Sequence, residues 1–289
     1  MAVGPYGALL DAVRGVRWAA HRRVPGGSPG LHQSRTRGVA PEFAEYRPYR
    51  QGDDPRRLDW KLLGRSDKAF IRLAPDHAVL GTTFIVDASA SMDFPRQDGG
   101  KWVLAKQITV ALASVAHATA DPVGLIVASV RGPRRLASRT RAGVIDEIAR
   151  TLDEVVPAGS AALAPLVREA RNRCVVLTDC LGDLEALRIA LARHQARGGE
   201  SHLLHLVARA ELDPGPTAML AVDPEDPSCE RPLVEETREP YRARFAAWRE
   251  EVARSTRADG IHYAELRDDQ APEVLVRRIA FAGTGDASR

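Results

Sequence analysis

Phe84-Ile85-Val86-Asp87-Ala88-Ser89-Ala90-Ser91-Met92 is the stretch that decides how this chain is read. An apolar run from Ala78 to Val86 stops at a carboxylate, and two hydroxyls follow at every second position. Apolar residues without alternation predict a strand buried on both faces, as at the centre of a parallel sheet. Such sheets bind ligands beyond the carboxyl ends of their strands, so Asp87, Ser89 and Ser91 fall where a site is expected. One acid and two neutral hydroxyls are hard oxygen donors of small total charge. That set suits a single Mg²⁺ or Mn²⁺ with open positions better than it suits zinc.

Working outward, strands and helices alternate from residue 78 onward, the pattern of an α/β, doubly wound, mostly parallel sheet flanked by helices. Leu104, Ile108, Leu112 and Val115 stripe a helix from Lys101 to Thr119. Val123 to Val130 reads as a strand, Leu136 as part of a short one, and Arg141 to Val155 as a helix closed by Pro157 and Gly159. Ser160 and a helix over Ala164 to Arg171 follow, then the apolar strand Cys174 to Leu177, which also ends in a hydroxyl and an acid, Thr178-Asp179. A helix from Leu184 to Arg197, a strand from His202 to Val207, a helix from Tyr241 to Arg257, a strand from Ile261 to Leu266 and a helix from Pro272 to Phe281 complete the pattern. Strand ends therefore supply five oxygen donors, Asp87, Ser89, Ser91, Ser160 and Asp179, and parallel strands bring their ends to one edge. Helix caps and turns favour Ser and Asp as well. A lone Asp-x-Ser-x-Ser match says little; the second strand-terminal acid is what strengthens it.

Upstream, Leu9, Leu10, Val13, Val16 and Trp18 suggest an amphipathic helix within residues 1–23, ended by the Pro- and Gly-rich stretch 25–30. Residues 31–77 are polar and rich in Arg, Asp and Tyr, and read as an extended segment clamped to the main domain through Arg–carboxylate pairs. Tyr46, Tyr49, Leu58 and Trp60 offer surface worth burying. Asp53, Asp54 and Asp59 stand among arginines and are expected to be ion-paired rather than catalytic. The expected organisation is 1–77 as an N-terminal helix and basic segment, 78–282 as the α/β domain, and 283–289 as a frayed tail. Within the domain, 211–235 is expected to be an insertion in which 218–222 and 231–234 pair as a hairpin.

Of 289 residues, 44% are hydrophobic and 27% charged, an ordinary globular composition. Residues 1–80 carry 14 Lys and Arg against 8 Asp and Glu, whereas the rest carries 27 against 30. A basic front segment can meet nucleic acid, an acidic membrane surface or an acidic protein. Three cysteines without a CxxC pair support neither a disulfide framework nor a zinc knuckle. No signal pattern or spanning apolar segment is evident, so a soluble cytoplasmic protein is expected. His202 and His205, three apart in a strand, should face opposite ways and make poor co-ligands. His117 should decorate a helix, and Cys174 and Cys180 should pack rather than react.

The Asp87, Ser89 and Ser91 loop with Ser160 and Asp179 resembles the metal-ion-dependent adhesion site of von Willebrand factor A domains. Glu42-Phe43, Tyr46-Arg47-Pro48-Tyr49, Gly52-Asp53-Asp54, Arg57 and Asp59-Trp60-Lys61 resemble the signature of the domain-of-unknown-function 58 (DUF58) family. The likeness runs from about residue 35 to 282 and takes in Tyr241 and Trp248. It implies direct ligation by the Ser89 and Ser91 hydroxyls, with Asp87 and Asp179 acting directly or through waters. Ser160 stands where the family pattern usually has Thr. It also implies a MoxR-type AAA+ ATPase as partner, and the lack of a spanning helix before the signature favours a soluble form.

Such a site binds rather than turns over. The expected function is a non-catalytic, divalent-metal-dependent protein-interaction domain whose ion accepts a carboxylate from a partner protein. A metal-dependent phosphoesterase using Asp87 and Asp179 is the first alternative. An aspartyl phosphatase would want a second acid where Ser89 stands, and two-metal nucleases need more clustered carboxylates. Nucleic-acid binding through the basic N-terminal segment, with Tyr46, Tyr49 and Trp60 as stacking platforms, is the second.

Overall fold

The computed structural model describes residues 4–20, 29–33, 45–50, 58–66, 68–73, 77–96, 100–215, 220–222, 228, 230–232 and 235–282. The chain forms two compact units, one of Met1–Ala19 with Gly81–Arg289 and one of Ala20–Leu80. The sequence reading divides the chain into 1–77, 78–282 and 283–289; the compact units part at residues 19/20 and 80/81, and Met1–Ala19 falls with the α/β unit.

The larger unit is built on a six-stranded sheet: β1 (Thr82–Asp87), β2 (Val123–Ala128), β3 (Arg134–Arg139), β4 (Arg173–Thr178), β5 (Glu200–Val207) and β6 (His262–Arg267). Their order across the sheet is β6-β5-β4-β1-β2-β3, and only the edge strand β3 runs antiparallel. Every residue of β1, β2, β4 and β5 is buried, which is why these segments lack polar alternation. The exposed arginines Arg134, Arg135 and Arg139 make β3 a charged edge that discourages further pairing.

Phe84 and Val86 face one core while Ile85 faces the other, so β1 contributes to two apolar layers. The first layer gathers α1 (Gly7–Ala12), α2 (Gly100–Ala118), α3 (Val144–Asp153) and α7 (Pro272–Phe281). The second takes α4 (Leu184–Ala196), the 3₁₀ turn Ala164–Glu169 and α6 (Glu235–Ala258). Between β5 and α6 come the short helix α5 (Arg209–Leu212) and an antiparallel pair, Leu220–Val222 with Glu230–Pro232. Chain order reverses between β1 and β4, because β2 lies on one side of β1 and β4 on the other. That crevice is where open α/β sheets take their ligands.

Several local expectations change. Helix α1 stops at Ala12, since Gly15 adopts a left-handed φ of +81° and turns the chain. Trp18 is therefore buried from an extended segment and not from a helix. Residues 164–169 wind as 3₁₀ rather than α-helix, and α6 begins at Glu235, ahead of the expected Tyr241. In the smaller unit, Glu45–Pro48 pairs with Phe70–Leu73 and Pro29–Gln33 with His77–Ala78. There the helix Trp60–Ser66 is capped by Asp59, whose Oδ1 accepts from Leu62 N at 3.0 Å. Trp60, expected to be buried, is exposed at the first position of that helix. Asp53, Asp54, Cys229 and the 283–289 tail lie outside the described residues.

Candidate metal centre

Asp87 is the last residue of β1, and its buried carboxylate is held from two sides. Oδ1 accepts from Ser89 N at 2.9 Å, and Oδ2 accepts from Thr178 Oγ1, at the end of β4, at 2.7 Å. The first bond curls the chain into the turn that brings Ser89 and Ser91 together, with their Oγ atoms 3.1 Å apart. Ligands at adjacent corners of an octahedron with Mg–O bonds of about 2.0–2.1 Å stand about 2.9 Å apart. The two hydroxyls thus have nearly the spacing that cis ligands of one small cation require.

Asp179 follows Thr178 off the end of β4 and lies close enough to Asp87 for their charges to repel. The backbone there is bent hard. Cys180 sits at φ +61°, a conformation unusual for a side chain with Cβ, while Leu181 N donates to Asp179 Oδ1 at 3.2 Å and Cys180 N to Thr178 Oγ1 at 3.1 Å. The third segment reaches the loop through its backbone. Ala158 N donates to Ala88 O at 3.0 Å and Ala90 N to Gly159 O at 2.8 Å. Ser160 is therefore one residue from a direct contact with the Asp87 turn, but its side chain is exposed while Asp87, Ser89, Ser91 and Asp179 are buried. The structure draws four of the five expected donors into one buried edge and leaves the fifth at its rim.

Two residues that the sequence reading passed over complete the edge. Lys101 Nζ donates to Asp179 Oδ2 at 2.8 Å and to Glu211 Oε1 at 2.6 Å, with only 1% of its side chain exposed. Burial opposes its charge, yet the two carboxylates outweigh that and its pKa is raised. Glu211, on α5, shifts upward because burial outweighs the pull of Lys101. A lysine in the first turn of a helix faces the positive end of the helix dipole; that awkward placement was the available sequence signal. Gly100 delivers it, for a Cβ there would lie 2.6 Å from Pro95 O and 2.7 Å from Phe94 O.

Electrostatics agree with the geometry. Burial first, then the Asp179 carboxylate, push the Asp87 pKa up to about 6, against the lowering effect of the Thr178 and Ser89 bonds. Asp87, Asp179 and Glu211 set three acids against one ammonium, an excess negative charge that a divalent cation would neutralise. Among the described residues no three His, Cys, Asp or Glu side chains are grouped to hold a metal, so an ion here would lean on the hydroxyls. The donor set fits one hard cation. Burial, and next the Asp179 and Asp87 charges, raise the Cys180 thiol well above its usual range. His202 and His205 face opposite sides of β5: His202 meets Trp18, and His205 Nδ1 pairs with the Tyr263 hydroxyl at 2.7 Å.

Segments that adjoin this buried floor expose large apolar side chains. Phe94, Val130, Val156 and Leu181 are between 39% and 78% exposed. Phe94 has Lys101 Nζ 5.9 Å from its ring centre, and Leu181 is two residues beyond Asp179. Val130 lies against Gly159, where a Cβ would come within 2.9 Å of its side chain, and Val156 is on the segment bonded to the Asp87 loop.

Fold and edge together define an open, mostly parallel α/β domain with an oxygen-donor cluster at the switch point of its sheet. The chain belongs to the family described as "Protein of unknown function DUF58", which it matches over residues 45–251. Uncharacterized proteins of Mycobacterium tuberculosis (Rv1480) and Mycobacterium bovis (Mb1516) are each 28% identical over 282 residues, covering 91% of this chain and 86% of theirs. Among solved structures, BatB of Bacteroides thetaiotaomicron is 12% identical with a TM-score of 0.47, over 71% of this chain and 98% of that one. The VWA domain of SpRpn10 is 12% identical with a TM-score of 0.41, over 69% and 94%. Among the described residues, no helix is long and apolar enough to cross a membrane.

Proposed function

We propose that this protein is a non-catalytic, divalent-metal-dependent protein-interaction domain, with Asp87, Ser89, Ser91 and Asp179 holding one Mg²⁺ or Mn²⁺ and Ser160 assisting from the rim. One observation carries the reading: buried oxygen donors with excess negative charge meet at the strand ends, and the segments that adjoin them carry the exposed apolar side chains Phe94, Val130, Val156 and Leu181. Exposed apolar residues gathered in one place mark a surface that another protein covers. When bound, the ion supplies a Lewis-acidic position able to take a carboxylate from that protein. The chain's own residues do the rest. Thr178 and Ser89 N fix the Asp87 carboxylate, the hydroxyls of Ser89 and Ser91 contribute oxygens without adding charge, and the apolar rim excludes water from the contact.

The partner is a MoxR-type AAA+ ATPase, with this chain acting as its adaptor in protein assembly or maturation in the cytoplasm; that choice rests on the family resemblance. Pull-down of a MoxR-type ATPase from the same organism tests it. Capture should need Mg²⁺ and should disappear with EDTA, with Asp87→Ala and with Leu181→Asp, the last without loss of melting temperature. Capture that survives both EDTA and Asp87→Ala would overturn the reading.

A further inference from the structure

Lys101 is buried where both solvation and the helix dipole disfavour a cation. A position needed only for packing would be served as well by an apolar residue of similar size, so the ammonium calls for another explanation. Its surroundings supply one. Lys101 Nζ grips Asp179 by one oxygen, while the other accepts from Leu181 N. On its far side it grips Glu211, whose second oxygen accepts from Ala208 N at 2.7 Å and whose backbone carbonyl accepts from the Tyr241 hydroxyl at 2.9 Å. The ammonium thus spans from the carboxyl end of β4 to α5 and, through Tyr241, to α6.

We propose that Lys101 is a positioning residue for the cation site: it holds Asp179 in place before any ion arrives and, as a like charge beside the site, lowers the affinity for a divalent cation. The inference rests on the reading of this edge as a cation site. Its sign follows from Coulomb's law, since a fixed positive charge one carboxylate away repels a second one. The hold on the ion is then weak and exchangeable, with Asp179 shared between an internal cation and an external one.

Titration of Mn²⁺ followed by electron paramagnetic resonance, with thermal melting of the same samples, tests this in wild type, Lys101→Met and Lys101→Arg. Lys101→Met should bind Mn²⁺ at least tenfold more tightly, melt lower without metal and gain more on its addition; Lys101→Arg should resemble wild type. Should Lys101→Met fail to fold, Glu211→Gln takes its place. It keeps the ammonium but removes a neighbouring negative charge, and should bind Mn²⁺ several-fold more weakly than wild type. Mn²⁺ binding equal across wild type and the variants, or weaker in Lys101→Met, would overturn the role of Lys101 and leave the cation site standing. No Mn²⁺ binding by any of these folded proteins would overturn both.

Discussion

At the amino ends of β4 and β5, the fully buried Arg173 donates to Glu200 Oε1 and to Ala19 O, both at 2.8 Å, and Trp18 lies over its guanidinium at 4.0 Å. His202 Nε2 pairs with the same Glu200 oxygen at 2.6 Å, and burial lowers its pKa so that it stays neutral. Among the described residues this cluster sets one cation against one anion. At the carboxyl ends of the same sheet, Lys101 pairs with Asp179 and Glu211, and the Asp87 carboxylate lies beside Asp179 as a third acid. Both ends bury charge, but only one balances it. The balanced end is sealed by an indole, whereas the unbalanced end opens onto exposed apolar residues. Buried charge by itself therefore does not mark a site; charge left over does.

The contrast can be broken most forcefully at Arg173. Removing one partner of a buried ion pair costs about 3–5 kcal/mol, so Arg173→Met should lose about that much in urea unfolding, and Mg²⁺ should change the loss no more than it changes wild type. A loss that Mg²⁺ specifically reversed would mean that the two ends are not independent.

Next comes pH. In the folded protein Asp87 titrates at about 6 instead of its usual 3.8, so between these values the native state holds a proton that the unfolded chain has released. Stability contributed by this group falls as pH rises through that window, by about 3 kcal/mol at 1.36 kcal/mol per pKa unit. His205 acts in the opposite sense. Burial lowers it from 6.5 to about 4, so the unfolded chain binds the proton first and stability rises with pH there, again by roughly 3 kcal/mol. The two slopes oppose each other in wild type. Asp87→Asn removes only the falling one, and without metal its stability should rise between pH 4 and 6.5 more steeply than wild type, by about 3 kcal/mol over the window. Parallel pH profiles in urea unfolding would show that Asp87 is not desolvated.

Smaller effects sharpen the ranking of donors. Ser89→Ala removes a buried hydroxyl from the proposed coordination sphere and should weaken Mn²⁺ binding about tenfold, which is about 1.4 kcal/mol. Ser160→Ala, at an exposed position, should change stability by less than about 0.5 kcal/mol and Mn²⁺ affinity less than Ser89→Ala does. Calorimetric titration separates the two, and equal losses would move Ser160 into the first rank of ligands.

The Asp87 edge was legible because a strand buried on both faces writes itself as an unbroken apolar run, and its end as the first charge after it. Asp179 followed by the same rule. Lys101 did not, since its one signal, a cation in the first turn of a helix, is worth only about 0.3–1 kcal/mol and does not say whether the side chain turns inward. Glu211 lay hidden in a Pro- and Asp-rich stretch read as an insertion, and its contact with Lys101 spans 110 residues of sequence. At the front of the chain, Leu9, Val13 and Val16 keep helical spacing, but the left-handed turn at Gly15 overrides it, and Trp18 beyond it packs against Arg173. Local periodicity carried the sheet; long-range charge pairing, which has no periodicity, carried what was missed.

Crystals grown with Mn²⁺ and measured at the manganese absorption edge test the central claim most directly. The account predicts a single anomalous peak in contact with Ser89 Oγ and Ser91 Oγ, on the side facing Asp87 and Asp179, lost in crystals of Asp87→Ala. A well-ordered edge with no peak, or a peak only elsewhere on the molecule, would contradict it.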